Sequence, residues 1–102
     1  MRVVFCTAPK NKAEEIAEKL LEEKLAACVN LVEGIKSKYW WDGKNQTDEE
    51  NMLIIKTKKE LIDPLTTKIK ELHPYDVPEI IALKIKGGST DYLNWIREVT
   101  LD

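Results

Sequence analysis

The 102-residue sequence predicts an α+β domain of βαββαβ order, with a long central hairpin and a short additional helix at the C-terminus. Two observations carry this prediction: strand-like apolar runs alternate with amphipathic helices, and a two-residue turn, Asp42-Gly43, joins the second and third strands. Right-handed crossovers then place the first and third strands at the centre of an antiparallel sheet, with both helices on one face. A doubly wound parallel sheet is the alternative, and it fails because a two-residue turn joins only antiparallel strands.

The first two elements are a buried strand and an amphipathic helix. Val3 to Thr7 is a short apolar, β-branched run closed by Ala8-Pro9, which predicts the strand. Asn11, with Glu14 three residues later, is a candidate helix cap. The helix that follows repeats its apolar residues at helical spacing, which predicts one face against the sheet: Ala13, Ile16, Ala17, Leu20 and Leu21.

The hairpin comes next. Leu25 to Val32 predicts a strand, Glu33-Gly34 marks a bulge, and the chain stays extended up to the turn at Asp42-Gly43. Counting outward from that turn sets Lys36 opposite Glu49, and an opposite-charge pair across two strands supports this register.

The hairpin is long for a domain of this size. Its arms, Cys28–Trp41 and Lys44–Thr57, have 14 residues each, or ~46 Å at ~3.3 Å per residue, whereas a compact domain of 100 residues is roughly 34 Å across. The hairpin must therefore bend at Gly34 or project. Its tip carries Tyr39, Trp40 and Trp41, which either fold back onto their own core or are covered by another copy of the chain. Self-association is the prediction.

The C-terminal half completes the order. Thr57 and Glu60 form a possible capping box for a second helix, which begins at Asp63-Pro64 or is kinked there, and His73-Pro74 ends it. Val77 to Ile85 predicts the last strand. Ser89 caps the terminal helix, whose apolar residues are expected to face inward: Tyr92, Leu93, Ile96 and Val99.

Composition limits the classes of function. The net charge is −2 without a basic stripe, which argues against nucleic-acid binding. Two cysteines, Cys6 and Cys28, are too few for a disulfide scaffold, and the N-terminal apolar run is too short for a signal peptide or a membrane span. We therefore expect one domain over residues 1–102, in a reducing cytoplasm and without a membrane partner.

Cys6 and His73 are the candidate metal ligands. The last strand is expected to run antiparallel beside the first, which brings Cys6 near the segment that His73 opens, and a thiolate with an imidazole suits copper or zinc. Two ligands are too few, so Asp76, Glu79, water or a neighbouring subunit would have to complete the set. The alternative is that Cys6 is a small core residue and His73 a helix-end residue.

Other sites are weaker. The acidic run Asp48-Glu49-Glu50 is expected to be solvated, although carboxylates clustered around the axis of an assembly could hold hard cations. Tyr75 and Trp95 could line a pocket, but aromatic packing is the simpler account of both. No catalytic set is visible: the loop after the first strand, Thr7 to Asn11, lacks the glycine and arginine that phosphoryl chemistry would use, and the third strand lacks the aromatics of an RNA-binding sheet. We expect no enzyme activity.

Several segments together resemble the CutA family, named for divalent-cation tolerance, over essentially the whole chain: Cys6-Thr7-Ala8-Pro9, Lys24 to Asn30, Tyr39 to Lys44, Ile55-Lys56-Thr57, His73 to Glu79 and Tyr92 to Trp95. The resemblance implies a small cytoplasmic homotrimer with a ferredoxin-like fold, some members of which bind copper or other divalent ions.

The resemblance also bears on the site. It implies ligands at Cys6 and His73 for copper or another divalent ion. We predict copper first among the metals and Glu79 as a third ligand. The length of the hairpin predicts subunit contacts through Tyr39, Trp40 and Trp41. Some members have a further histidine just before the one that matches His73, where this chain has Leu72. The alternative function is a signalling trimer, similar to the nitrogen-regulatory proteins, that binds a small molecule or a partner protein in clefts between its subunits.

Overall fold

The computed structural model describes residues 1–102. Four strands and three α-helices follow one another as β1 (Arg2–Ala8), α1 (Lys10–Glu22), β2 (Cys28–Trp41), β3 (Lys44–Thr57), α2 (Ile62–Leu72), β4 (Ile81–Lys84) and α3 (Thr90–Val99). The strands form one antiparallel sheet in the order β2-β3-β1-β4, so the prediction that the first and third strands are central is confirmed. None of the helices is both long enough and apolar enough to cross a membrane.

The hairpin agrees with the prediction in its turn, register and bulge. Asp42 and Gly43 both have positive φ, 53° and 73°, as a type I′ turn requires. Lys36 pairs with Glu49. The register shifts between Val32 and Ile35, and Gly34 within that bulge has φ +71°. Turn chemistry is local, which explains why a hairpin of this length could be placed from its sequence.

Strand β2 begins at Cys28 and not at the predicted Leu25. Lys24 has a positive φ of 56°, which ends α1 and turns the chain. Leu25 then remains beside the helix, where its amide donates to the Leu20 carbonyl at 2.9 Å, and its own carbonyl accepts the Thr57 hydroxyl at 2.7 Å. These bonds hold Leu25 outside the strand ladder, although its side chain is buried.

The predicted strand at Val77 to Ile85 is too long, because β4 covers only Ile81–Lys84. Pro78 has no amide hydrogen to donate to a ladder. The chain from His73 to Ile80 is instead a linker without helix or strand that leads from α2 to β4.

Two of the three predicted helix caps are wrong. Helix α1 begins at Lys10, so Asn11 lies inside its first turn, and no side chain caps it. Thr57 donates its hydroxyl to Leu25, and a 3-10 turn, Lys59–Leu61, leads into α2 in place of the capping box. Ser89 does cap α3, since its hydroxyl accepts the Tyr92 amide at 3.4 Å.

Pro64 fits the start of α2. It is the third residue of a helix that begins at Ile62, in the first turn, where a backbone amide has no partner within the helix. The prediction that the helix begins close to Pro64 is therefore confirmed, and the kink is not needed. His73 follows the last residue of the helix, as predicted.

The core lies between the sheet and helices α1 and α2. Fourteen buried apolar residues form one cluster. From the helices it takes four side chains of α1 and two of α2: Ala13, Ile16, Ala17, Leu20, Leu65 and Ile69. Leu21 and all the apolar side chains of α3 lie outside it. Of the residues expected to face inward on α3, only Ile96 is fully buried, while Tyr92 and Val99 are exposed.

The hairpin projects from this body. The molecule measures 44 × 25 × 22 Å, and its long axis is close to the ~46 Å expected of a 14-residue extended arm. At the tip, Trp40 is 77% exposed and Trp41 is 52% exposed. The alternative in which these tryptophans fold back onto their own core is therefore wrong.

Candidate metal ligands and the hairpin–linker cavity

The predicted convergence of Cys6 and His73 takes place through the backbone. Cys6 is buried on the central strand β1, and His73 is buried just after the end of α2. Nε2 of His73 lies 2.8 Å from the carbonyl oxygen of Thr7, the residue that follows Cys6. A carbonyl can only accept, so Nε2 carries the hydrogen and donates it.

The other ring nitrogen of His73 is also engaged. The backbone amide of Tyr75 donates to Nδ1 at 3.2 Å, and the two rings pack with centroids 4.7 Å apart. The imidazole is therefore held as the neutral tautomer with its proton on Nε2, and it ties the linker to β1. A neutral imidazole binds a metal through a nitrogen lone pair, and here the only one is already hydrogen-bonded.

The Cys6 side chain is also in a form that does not bind a metal, because it is a protonated thiol at neutral pH. Burial raises the pKa of Cys6 to about 12, and the charges of Glu79 and Glu50 add to the effect. A metal takes cysteine as the thiolate, so at neutral pH the proton must first leave. Glu79 is exposed, near enough to Cys6 for its charge to act on the thiol.

As folded, these residues do not make a ready-made metal centre. Nowhere in the molecule do three or more histidine, cysteine, aspartate or glutamate side chains come together in a way that could hold an ion. The two cysteines are both free, and Cys28 is half-buried at the start of β2.

A cavity of about 600 Å³ lies beside Thr7, between the hairpin and the linker, and we call it the hairpin–linker cavity. Its wall is made by side chains from the end of β1, both hairpin arms and the linker: Thr7, Ser37, Lys38, Tyr39, Trp41, Glu50, Pro74, Tyr75, Asp76, Val77 and Glu79. The predicted ligand Glu79 and two of the predicted interface residues, Tyr39 and Trp41, share this cavity. Trp40 alternates to the other side of the strand.

Two tyrosine–carboxylate hydrogen bonds shape the cavity. The Tyr75 hydroxyl donates to Glu50 at 3.1 Å, and the Tyr39 hydroxyl donates to Asp48. Burial, followed by the hydrogen bond to Glu50 and its charge, raises the pKa of Tyr75 to about 12. Both bonds require neutral phenols.

Glu50 is the functional candidate that sequence reasoning missed. The run Asp48-Glu49-Glu50 was expected to be solvated, but Glu50 is only 5% exposed. The signal was present in the hairpin register: the exposed Glu49 pairs with Lys36, so the period of two along a strand turns Glu50 to the opposite face.

The comparisons with known proteins agree with this structure. A family model described as CutA1 divalent ion tolerance protein matches residues 2–99. "Protein CutA 1, chloroplastic" of Oryza sativa subsp. japonica is 54% identical over 99 residues, which are 96% of this chain and 56% of that protein. "Divalent-cation tolerance protein CutA" of Thermus thermophilus is 48% identical over 99 residues, 96% of each chain.

The fold is shared as well. The crystal structure of CutA1 from Oryza sativa superimposes with a TM-score of 0.96 at 53% identity, over 99% of this chain and 94% of that one. The chain spans about half the length of the rice relative, and nearly all of the Thermus protein. With a family model matched from residue 2 to residue 99 and relatives about half identical over almost its whole length, the chain belongs to the CutA1 divalent ion tolerance protein family.

Proposed function

We propose that this chain acts in the response to divalent metal ions as a cytoplasmic homotrimer that catalyses no reaction, and that copper is the first metal to test. The observation that carries the proposal is the family match over residues 2–99, together with relatives named for divalent-cation tolerance. Two free cysteines support a reducing compartment. The comparisons do not favour the signalling alternative, since the matching family is the tolerance family.

The trimer is supported by exposed apolar surface. Besides the tip of the hairpin, Ile81 and Leu83 on the sheet-edge strand β4 are half exposed, and Tyr92 and Trp95 on α3 are about 40% exposed. Large apolar side chains at a free strand edge favour association with another chain, and closed symmetry is the usual outcome for identical copies. The number three comes from the resemblance.

For the metal, we propose Cys6, His73 and Glu79 as ligands. The affinity is limited because metal binding requires the loss of a proton and of a hydrogen bond that the folded protein has. The thiol has to lose a proton against its raised pKa, and Nδ1 of His73 has to exchange the Tyr75 amide for the metal. Because the metal competes with the Cys6 proton, we expect binding to tighten as the pH rises from 6 to 8.

The test is a calorimetric titration with Cu(II) in anaerobic buffer, and with Zn(II) as a metal that cannot oxidise the thiol. We expect weak to moderate binding by the wild type, and an affinity lower by about ten-fold or more for Cys6→Ser and for His73→Gln. Gln can keep an amide donor toward the Thr7 carbonyl, so that variant preserves the bond that His73 makes to β1.

Cys28→Ser is the matched control, because it removes the other thiol without touching the linker. Its titration curves should match those of the wild type. Equal affinities for the wild type, Cys6→Ser and His73→Gln would show that Cys6 and His73 are not metal ligands. Loss of binding in Cys28→Ser alone would place the metal site at the start of β2.

A further inference from the structure

We infer that the hairpin–linker cavity binds a small organic cation of the alkylammonium class, between its aromatic wall and the carboxylate of Glu50. This ligand is different from the metal of the proposed function, and its binding does not require Cys6 or His73 to be ligands.

The cavity has the size of a small-molecule site. Its volume of about 600 Å³ lies within the range of roughly 300–1,000 Å³ that such sites occupy. It also has a wall on each side, since the hairpin supplies Tyr39, Trp41 and Glu50 while the linker supplies Tyr75 and Glu79. A ligand in it would contact both parts of the fold.

The cavity carries an excess of negative charge. Three carboxylates line it, from Glu50, Asp76 and Glu79, and the single cation among the lining residues is Lys38. The Lys38 ammonium donates to the Thr47 hydroxyl at 3.3 Å. All ion pairs of the molecule lie on α1 and α2 or between them, so no carboxylate of the cavity has a cationic partner.

Glu50 makes this charge excess significant. Its side chain is almost fully buried, and its hydrogen-bond donor from the protein is the Tyr75 hydroxyl. A buried charge without an opposite charge is unfavourable, and a cationic ligand would compensate it.

The aromatic wall selects the kind of cation. Tyr39, Trp41 and Tyr75 line the cavity, and both tyrosine hydroxyls are occupied by carboxylates. The Tyr75 ring already packs against His73, so a ligand would contact its remaining surface and the rings of Tyr39 and Trp41. Aromatic faces attract ammonium groups and favour those with methyl substituents over strongly hydrated ions. A divalent metal would need three or more converging ligands, which the cavity lacks.

The experiment titrates the folded protein with tetramethylammonium chloride at constant ionic strength and follows the binding by calorimetry and by NMR shifts. Tert-butanol, which has nearly the same shape without the charge, serves as the neutral probe. We expect saturable millimolar binding of tetramethylammonium and at least ten-fold weaker binding of tert-butanol.

Variants locate the site. Glu50→Gln keeps an oxygen to accept the Tyr75 hydroxyl but removes the charge, so we expect a loss of about ten-fold in affinity. Glu49→Gln is the matched control, one residue away on the opposite face of the strand and outside the cavity, and should bind as the wild type does. Tyr75→Phe keeps the ring and should retain binding, whereas Tyr75→Leu should weaken it.

The outcomes separate this inference from the metal proposal. Cys6→Ser should bind tetramethylammonium normally even where it loses copper. Equal binding of tert-butanol, equal losses in Glu50→Gln and Glu49→Gln, or no saturable binding at all would overturn the inference. If there is no saturable binding, the positive charge that compensates the buried Glu50 carboxylate would have to come from another subunit, and not from a small molecule.

Discussion

Cys6 shows how much of a side chain's chemistry is decided by its surroundings. Its thiol lies on the central strand, fully buried, and the carboxylates of Glu79 and Glu50 act on it from the cavity side. The sequence identified the residue and its proximity to His73, because strand order follows from topology. It could not show that the thiol would be kept protonated, since that depends on burial and on charges from two other segments.

The raised pKa of Cys6 predicts a stability that falls in alkaline solution. In the unfolded chain the thiol ionises near pH 9, but in the folded chain only near pH 12. Between these values the unfolded state binds fewer protons, so the contribution is fully present below pH 9 and is lost as the pH rises. At pH 10 the loss is about 1 kcal/mol per chain relative to pH 7.

Urea unfolding of the wild type and of Cys6→Ala at pH 7 and pH 10 measures this. Other groups that titrate in this range are common to both proteins and cancel in the comparison. The wild type should have the higher free energy of unfolding at pH 7. At pH 10 the difference in free energy of unfolding between the wild type and Cys6→Ala should be smaller by about 1 kcal/mol. A difference that stays constant would mean that Cys6 ionises in the folded state much as it does in the unfolded one.

At the scale of the elements, local chemistry could be predicted and competition between segments could not. The turn at Asp42-Gly43 and the bulge at Gly34 rest on backbone conformations that few residues adopt, and both were placed correctly. Thr57 had the right neighbours for a helix cap, but its hydroxyl binds the Leu25 carbonyl instead. A sequence window around Thr57 contains no information about that carbonyl, which lies 32 residues away.

The bulge allows a prediction about Gly34 in β2. Its φ is +71°, and an added Cβ would meet no atom within 4 Å, so only backbone strain opposes a side chain there. We expect Gly34→Ala to lower the free energy of unfolding by about 1 kcal/mol and Gly34→Asn by less, because asparagine tolerates this conformation better.

Gly87→Ala is the control for this change. Gly87 has the same open surroundings without a positive φ, so its replacement should leave stability unchanged or raise it slightly. Denaturant midpoints at one protein concentration compare the variants. Equal midpoints for Gly34→Ala and Gly87→Ala would show that the bulge does not require the left-handed conformation in solution.

At the scale of the whole molecule, the hairpin makes the chain 44 Å long, twice its smallest dimension, and places exposed aromatics at one end. The length of the two arms could be read from the sequence because the turn between them was unambiguous. The cavity could not be predicted, since it forms between the hairpin and a linker whose second half, from Val77, the sequence predicted as strand. Tertiary placement of the linker creates the cavity, and no local pattern encodes it.

The proposed trimer leads to a prediction at Trp40, which is 77% exposed in the single chain. Three chains of 11.8 kDa give about 35 kDa, and light scattering at micromolar concentration should return that mass for the wild type. A tryptophan at a subunit contact commonly contributes about 2 kcal/mol or more. Trp40→Lys should therefore dissociate at concentrations roughly 30-fold higher than the wild type does.

Leu21→Lys is the matched control for this variant. Leu21 is a large apolar residue, 39% exposed, on α1 and away from the hairpin tip, so its replacement should leave the mass unchanged through the dilution series. Circular dichroism would establish that both variants fold. A wild-type mass near that of one chain would contradict the proposed trimer. If Trp40→Lys keeps its mass on dilution as Leu21→Lys does, the hairpin tip is not a subunit contact.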